Sequence, residues 1–282
     1  MPEGDSLYRF AASLRGVLEG QTILAARSHG PGPVPQVKRI VGATCTAVRS
    51  QGRNMLISFD NGLVLRGHLR MNGTWHVYRP GEPWRMPERE ARLVLEVDGA
   101  TVVNFSAPVI ELLEERALGV HARIANLGPD LLDEEFDPAE ALRRLRDPAR
   151  AGLTVGDAVM DQRALAGIGN IWKNEALFYA GINPWRRMNE LSDVDLLLVI
   201  EKAQALLRAS VGKTNALNMS FRPAMYVYGR GGQPCRRCYS RLRSAPQGVD
   251  IRHTVWCPKC QPVAEGQMEP PVRGGLNRRS QS

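Results

Sequence analysis

The chain has 282 residues, 43% of them hydrophobic, and its 37 Lys and Arg against 29 Asp and Glu leave a net charge of +8. That length leaves room for two domains and a small appendage, and the hydrophobic content supplies a real core. No run approaches the roughly 18 apolar residues of a membrane span, and the acidic opening lacks the apolar stretch of a secretory signal. The expectation is therefore a cytoplasmic protein without a membrane partner, whose basic excess suits a polyanion.

The chain opens Met1-Pro2-Glu3-Gly4-Asp5. The small second residue predicts removal of Met1, which exposes a secondary amine at Pro2 beside the Glu3 carboxylate. An uncharged amine can attack an electrophilic carbon and form an iminium. An ordinary frayed terminus predicts the same five residues. Asp5 or Ser6 is expected to cap a first helix whose stripe is Leu7, Phe10, Ala11, Leu14 and Leu18, with Gly20 as its stop. The positive end of that helix disfavours a protonated amine and attracts a phosphate.

From residue 21 to 105 the signals are those of strands. Thr44–Val48 is β-prone, and Asn54–Phe59 and Leu63–Leu69 flank Asp60-Asn61-Gly62, a strong hairpin signal. Met71-Asn72-Gly73 forms a second tip before Thr74–Tyr78, and Arg92–Val97 and Thr101–Phe105 flank Asp98-Gly99-Ala100. Short antiparallel strands with spaced turns predict a sandwich. Gly30–Pro35 and Arg79–Glu90 read as surface loops.

After Gly128-Pro129-Asp130 the pattern becomes helical. Pro138–Arg146 is one helix, and Thr154 starts another running to about Leu165. Ala166-Gly167-Ile168-Gly169-Asn170 is a tight turn, followed by a helix over Ile171–Ala180 and a long one from Ser192 to near Gly212. Backbone N–H groups and the Asn170 amide at such a turn can grip a phosphate, although a plain turn between packed helices has the same pattern.

Cys235-x2-Cys238 and Cys257-x2-Cys260 lie eighteen residues apart, the spacing of a four-cysteine zinc ribbon. Four thiolates close a tetrahedral site, so the Zn2+ is structural and no organic cofactor is expected. Arg236, Arg237, Arg241, Arg243 and Arg252 surround it. They either meet nucleic acid or face water. Cys45 is left as a small buried residue.

Together these stretches resemble the formamidopyrimidine-DNA glycosylase/endonuclease VIII superfamily. The matching segments are Pro2-Glu3-Gly4, His68–Gly73, Leu127–Asp130, Met160–Ile171, and Tyr228-Gly229-Arg230 leading into the ribbon. The resemblance implies an α+β multidomain protein: an N-terminal helix plus antiparallel β-sandwich, then a helix–two-turn–helix domain with a zinc finger. The expected division is a catalytic domain over 2–117, a linker over 118–138, the helical domain over 139–225, the finger over 226–262 and a disordered tail over 263–282. Duplex DNA with a damaged base or abasic site is expected in the cleft of a monomer.

The resemblance further implies that the damaged base is flipped out and that Pro2 attacks the sugar C1′. Glu3 handles protons at the sugar ring, and β- then δ-elimination cuts the strand. Arg70, Met71 and Asn72 occupy the void-filling position, where an apolar wedge replaces lost stacking. Asn170 and Arg252 correspond to phosphate clamps, and Arg252 also falls where the elimination step is served. Gly4 after Pro-Glu resembles the endonuclease VIII branch, which takes oxidised pyrimidines. The alternatives are the 8-oxoguanine branch and a damage-binding protein without chemistry.

Three positions depart from the family's pattern. Arg53 stands where a catalytic Lys is usual, and a guanidinium hardly releases a proton at neutral pH. Ser6 replaces a second Glu. Asn126 stands where relatives can have a DNA-binding Arg. The departures bear on efficiency and substrate rather than fold.

Overall fold

The computed structural model describes residues 2–30, 34–212 and 224–263. The expected tail past residue 263 and part of the Gly/Pro loop lie outside the described residues. The chain forms two compact units that divide between Leu127 and Gly128.

The first unit opens with α1 (Gly4–Leu18), whose buried stripe is Leu7, Phe10, Ala11, Leu14 and Leu18. Each of its Leu and Phe side chains contributes roughly 1.5–3 kcal/mol on burial. The N-cap is Glu3 rather than Asp5 or Ser6, because the carbonyl of Glu3 already accepts from the N–H groups of Ser6 and Leu7. Asp5 lies inside the first turn and pairs with Arg9 at 3.1 Å.

Strands follow as β1 (Ala25–Ser28), β2 (Cys45–Gln51), β3 (Asn54–Phe59), β4 (Leu63–His68), β5 (Thr74–Tyr78), β6 (Ala91–Val97), β7 (Ala100–Phe105) and β8 (Val109–Glu114). They form two antiparallel four-stranded sheets, ordered β1-β6-β7-β5 and β2-β3-β4-β8. α1 and the inward residues of both sheets share one core that includes Leu14, Met55, Leu65, Trp75, Leu93 and Val102. The predicted sandwich is present. β1 and β8 carry weaker alternation, and their pairing to β6 and β4 makes them strands. The segment after β8 covers the outer face of the second sheet, where Leu118 and Ile124 bury Leu56 and Val64.

The second unit contains α2 (Pro138–Leu145), α3 (Val155–Ala158), α4 (Asn170–Ala180), α5 (Asp193–Val211) and a hairpin of β9 (Arg243–Gln247) and β10 (Arg252–Trp256). Ser192 and Asp195 cap α5 reciprocally, and Gly181 ends α4 in the left-handed region at φ 71°.

α3 is far shorter than the helix predicted to reach Leu165. Side chains beyond Ala158 take the bonds that a helix would need. Gln162 Nε2 donates to the carbonyls of Met160 and Ile168, and its Oε1 accepts from Gly167 N–H. The Gln162 carbonyl accepts from Gly128 N–H, and a Cβ on Gly128 would stand 2.5 Å from the Ala164 oxygen. The chain leaves the helix to make room for that approach.

Candidate active site and nucleic-acid interface

In the first unit Pro2 is half-buried and Glu3 is 1% exposed at the head of α1. Arg53 sits in the β2–β3 turn, which needs Gly52 at φ 58°. The residue after it, Asn54, is held from below. Buried Arg66 donates through Nε to Asn54 Oδ1 at 3.0 Å and through Nη1 to Glu111 Oε2 at 2.5 Å, and His121 Nε2 lies 3.4 Å from the same carboxylate oxygen. A rigid, hydrogen-bonded base therefore carries the turn that presents Arg53.

The loop after β4 is built as a projection. Leu69 is buried at its root, Arg70 takes the left-handed region at φ 46°, and Met71 is 65% exposed. A non-glycine residue at positive φ needs support, and His68 provides it: Arg70 N–H donates to His68 Nδ1 at 3.2 Å. Gly73 closes the loop onto the Leu69 carbonyl, where a Cβ would meet that oxygen at 2.7 Å. Asn72 is exposed beside Met71.

Burial, and then the charges of Arg66, Arg53, Arg70 and Arg123, push the His68 imidazole down to about 4. The β2–β3 turn, the projecting loop and the segment after β8 thus bring their guanidinium groups to bear on one place. Such a concentration of positive charge suits phosphates. Asn126 is exposed on that last segment, with Nδ2 donating weakly to the Ala122 carbonyl at 3.4 Å. Arg66 and Arg123 were not singled out in the sequence. Nothing but their convergence on His68 distinguishes them from other arginines.

In the second unit, Gly167 turns at φ 91° and Gly169 caps α4, which begins at Asn170. Asn170 Nδ2 donates to the His253 carbonyl at 3.0 Å, so this amide links the helix start to β10. Arg252 begins β10 and pairs with Asp250 at 3.2 Å. Asn170 and Arg252 are thereby brought to neighbouring places.

The four cysteines converge behind this hairpin. Their sulfur atoms all lie within 4.8 Å of one another, with 4.0 Å between Cys235 and Cys260 and 3.4 Å between Cys238 and Cys257. A tetrahedral zinc with bonds of ~2.3 Å separates its sulfurs by about 3.8 Å, so the donor set fits that ion. N–H groups of Arg237 and Cys260 point at Cys235 and Cys257 sulfurs at 3.4 Å, as in ribbon knuckles.

Two family models match the chain. The formamidopyrimidine-DNA glycosylase N-terminal domain covers residues 1–108, and the H2TH domain of the same family covers residues 127–220. The chain belongs to the formamidopyrimidine-DNA glycosylase family. Among curated relatives it is similar to a probable endonuclease 8 2 of Streptomyces coelicolor, 37% identical over 93% of this chain and 94% of the relative. It is also 34% identical to the DNA-(apurinic or apyrimidinic site) lyase Nei2 of Mycolicibacterium smegmatis, over 93% of this chain and 99% of that one. These relatives set it near the endonuclease VIII branch. In fold it resembles Lactococcus lactis formamidopyrimidine-DNA glycosylase bound to DNA containing an abasic site, with a TM-score of 0.79 at 21% identity over 93% of this chain and 100% of that one. Among the described residues, no helix is long and apolar enough to cross a membrane.

Proposed function

We propose that this chain is a bifunctional DNA glycosylase and abasic-site lyase of base excision repair that acts on oxidised pyrimidines in duplex DNA. The family supports the activity class, and the endonuclease 8 names of its relatives favour the lesion class. Once Met1 is removed, the Pro2 amine attacks the sugar C1′ as the base leaves. Glu3 moves the proton that opens the ring to the iminium, and successive eliminations cut the strand. The observation that carries this reading is the burial of Glu3 beside Pro2 at the head of α1, which sets a carboxylate next to the amine that removal of Met1 exposes.

Met71 fills the space left by the flipped base, with Arg70 and Asn72 beside it. Asn126, Asn170 and Arg252 hold phosphates, and Arg252 also serves the elimination step. A structural Zn2+ held by Cys235, Cys238, Cys257 and Cys260 staples the hairpin that bears Arg252. The domain division is the one read from the sequence, and the protein works as a monomer at the nucleoid in the cytoplasm.

Arg53 tilts the balance between the two activities. A guanidinium keeps the charge of the usual lysine and holds a phosphate in two-point fashion, but it is a poor proton donor. Cleavage at existing abasic sites therefore outpaces excision of intact damaged bases. The lyase name of the Mycolicibacterium smegmatis relative accords with that balance.

Borohydride trapping across a panel of oxidised bases and an abasic duplex tests the reading. A covalent adduct is expected on abasic and thymine-glycol DNA, with Pro2→Gly losing most of it while still binding. Arg53→Lys should raise trapping on intact lesions relative to abasic DNA. Binding with no adduct on either substrate would sink the enzymatic reading in favour of a damage-binding protein.

A further inference from the structure

The start of α4 grips β10 at three successive residues. Asn170 Nδ2 donates to the His253 carbonyl at 3.0 Å, Lys173 Nζ donates to Thr254 Oγ1 at 2.6 Å, and Val255 N–H donates to Asn174 Oδ1 at 2.5 Å. Two of these grips are made by neutral amides. The third is made by the terminal amino group of a lysine whose side chain is 1% exposed.

Burying an amino group is costly whether or not it is protonated, and an apolar side chain of similar volume fills a core without that cost. A residue that breaks this local rule points to a functional demand. Here the demand can be traced. Lys173 Nζ also reaches Gln247 Oε1 at 3.4 Å, and the Thr254 hydroxyl donates to that same oxygen at 2.8 Å. The Gln247 amide is anchored in turn by Thr154 Oγ1 at 2.9 Å and the Pro184 carbonyl at 2.8 Å. Gln247 is the cross-strand partner of Arg252, the pair that closes the hairpin. Lys173 therefore ties both strands of the hairpin to the helix at the root of Arg252.

We propose that Lys173 is a positioning residue for Arg252. Its amino group fixes the closing pair of the hairpin, so that the guanidinium and the start of α4 meet neighbouring DNA phosphates at a set spacing. The inference rests on the phosphate-holding role given to Arg252 above.

The test compares Lys173→Met, Arg252→Ala and the double variant as zinc-loaded full-length proteins on an abasic-site duplex. It reads binding over a salt series and the rate of strand cleavage. Each single variant is expected to bind about tenfold more weakly, the equivalent of one charge-assisted hydrogen bond, and to lose about one phosphate contact from the salt slope. The double variant should be no worse than Arg252→Ala, because the lysine acts through the arginine.

Thr254→Val should reproduce Lys173→Met, and Thr254→Ser should restore wild-type behaviour. The valine variant carries the test if Lys173→Met does not fold. Additive losses, or a lower melting temperature with an unchanged salt slope, would reduce Lys173 to a packing residue and overturn the inference. Wild-type binding by Arg252→Ala overturns the reading of Arg252 itself. An impaired Arg252→Ala beside a wild-type Lys173→Met overturns Lys173 alone.

Discussion

At His68, burial and four nearby arginine charges hold the imidazole at about 4, so it is neutral at physiological pH and Nδ1 can accept the Arg70 N–H. In the unfolded chain the same ring titrates near 6.5. The folded value is the lower one, so this contribution to stability is complete above about 6.5. It is lost as pH falls towards about 4, because the unfolded state takes up the proton first. Denaturant titrations should show stability falling over that window by an amount on the order of 1–3 kcal/mol. His68→Asn keeps an acceptor without the titration and should flatten the decline. An equally steep decline in the variant would assign it to other groups. The histidine was legible in the sequence as part of a motif, but its protonation state was not. That state depends on Arg53, Arg66 and Arg123, which come from three separate stretches of the chain.

The loop between β4 and β5 is organised so that one apolar side chain faces out. Leu69 anchors it in the core, and the left-handed turn at Arg70 directs Met71 outward at 65% exposure. A side chain so exposed contributes little to folding, so Met71→Ala should change stability by less than about 0.5 kcal/mol. If Met71 replaces lost stacking, the same variant should lower excision of a damaged base at least roughly tenfold, since holding a base out costs a few kcal/mol. Unchanged excision kinetics would make Met71 an ordinary surface residue. Hairpins and most helices were readable from turn residues and periodicity, which are local. α3 was not, because the bonds that end it run from Gln162 to Gly167 and Ile168 and from Gly128 to Gln162. β1 and β8 escaped for a related reason: a strand without strong alternation is defined by its partner.

Over the whole molecule, each unit has an apolar core of its own, and the hairpin of the second is set apart from both. The first has a continuous sandwich core. The hairpin of the second packs in a small cluster around Phe178, Val227, Leu242 and Val255, with Cys235 and Cys257 among its members. A two-stranded hairpin is marginal by itself, so the zinc proposed for the four cysteines would add to the grip of α4 in holding it. If Arg252 holds a phosphate as proposed, chelation should remove that share of the DNA affinity while leaving the strand signal of the sandwich intact. The check is binding together with circular dichroism, before and after zinc is restored. A chelated protein that keeps its affinity would mean that the hairpin stands without metal.

The sequence alone determined the features written in neighbouring residues: the Pro2-Glu3 opening, the Asn-Gly and Asp-Gly turns, the amphipathic stripe of α1 and the spacing of the cysteine pairs. Motif order carried the family, and with it the expected activity. Tertiary structure decided what depends on residues far apart. It set the charge environment of His68, the support under Arg53 from Arg66 and Glu111, and the grip of Lys173 on both strands of the Arg252 hairpin. Local patterns are encoded by periodicity and turn chemistry, whereas burial, field and hydrogen-bond partnership come into being only when the chain has folded.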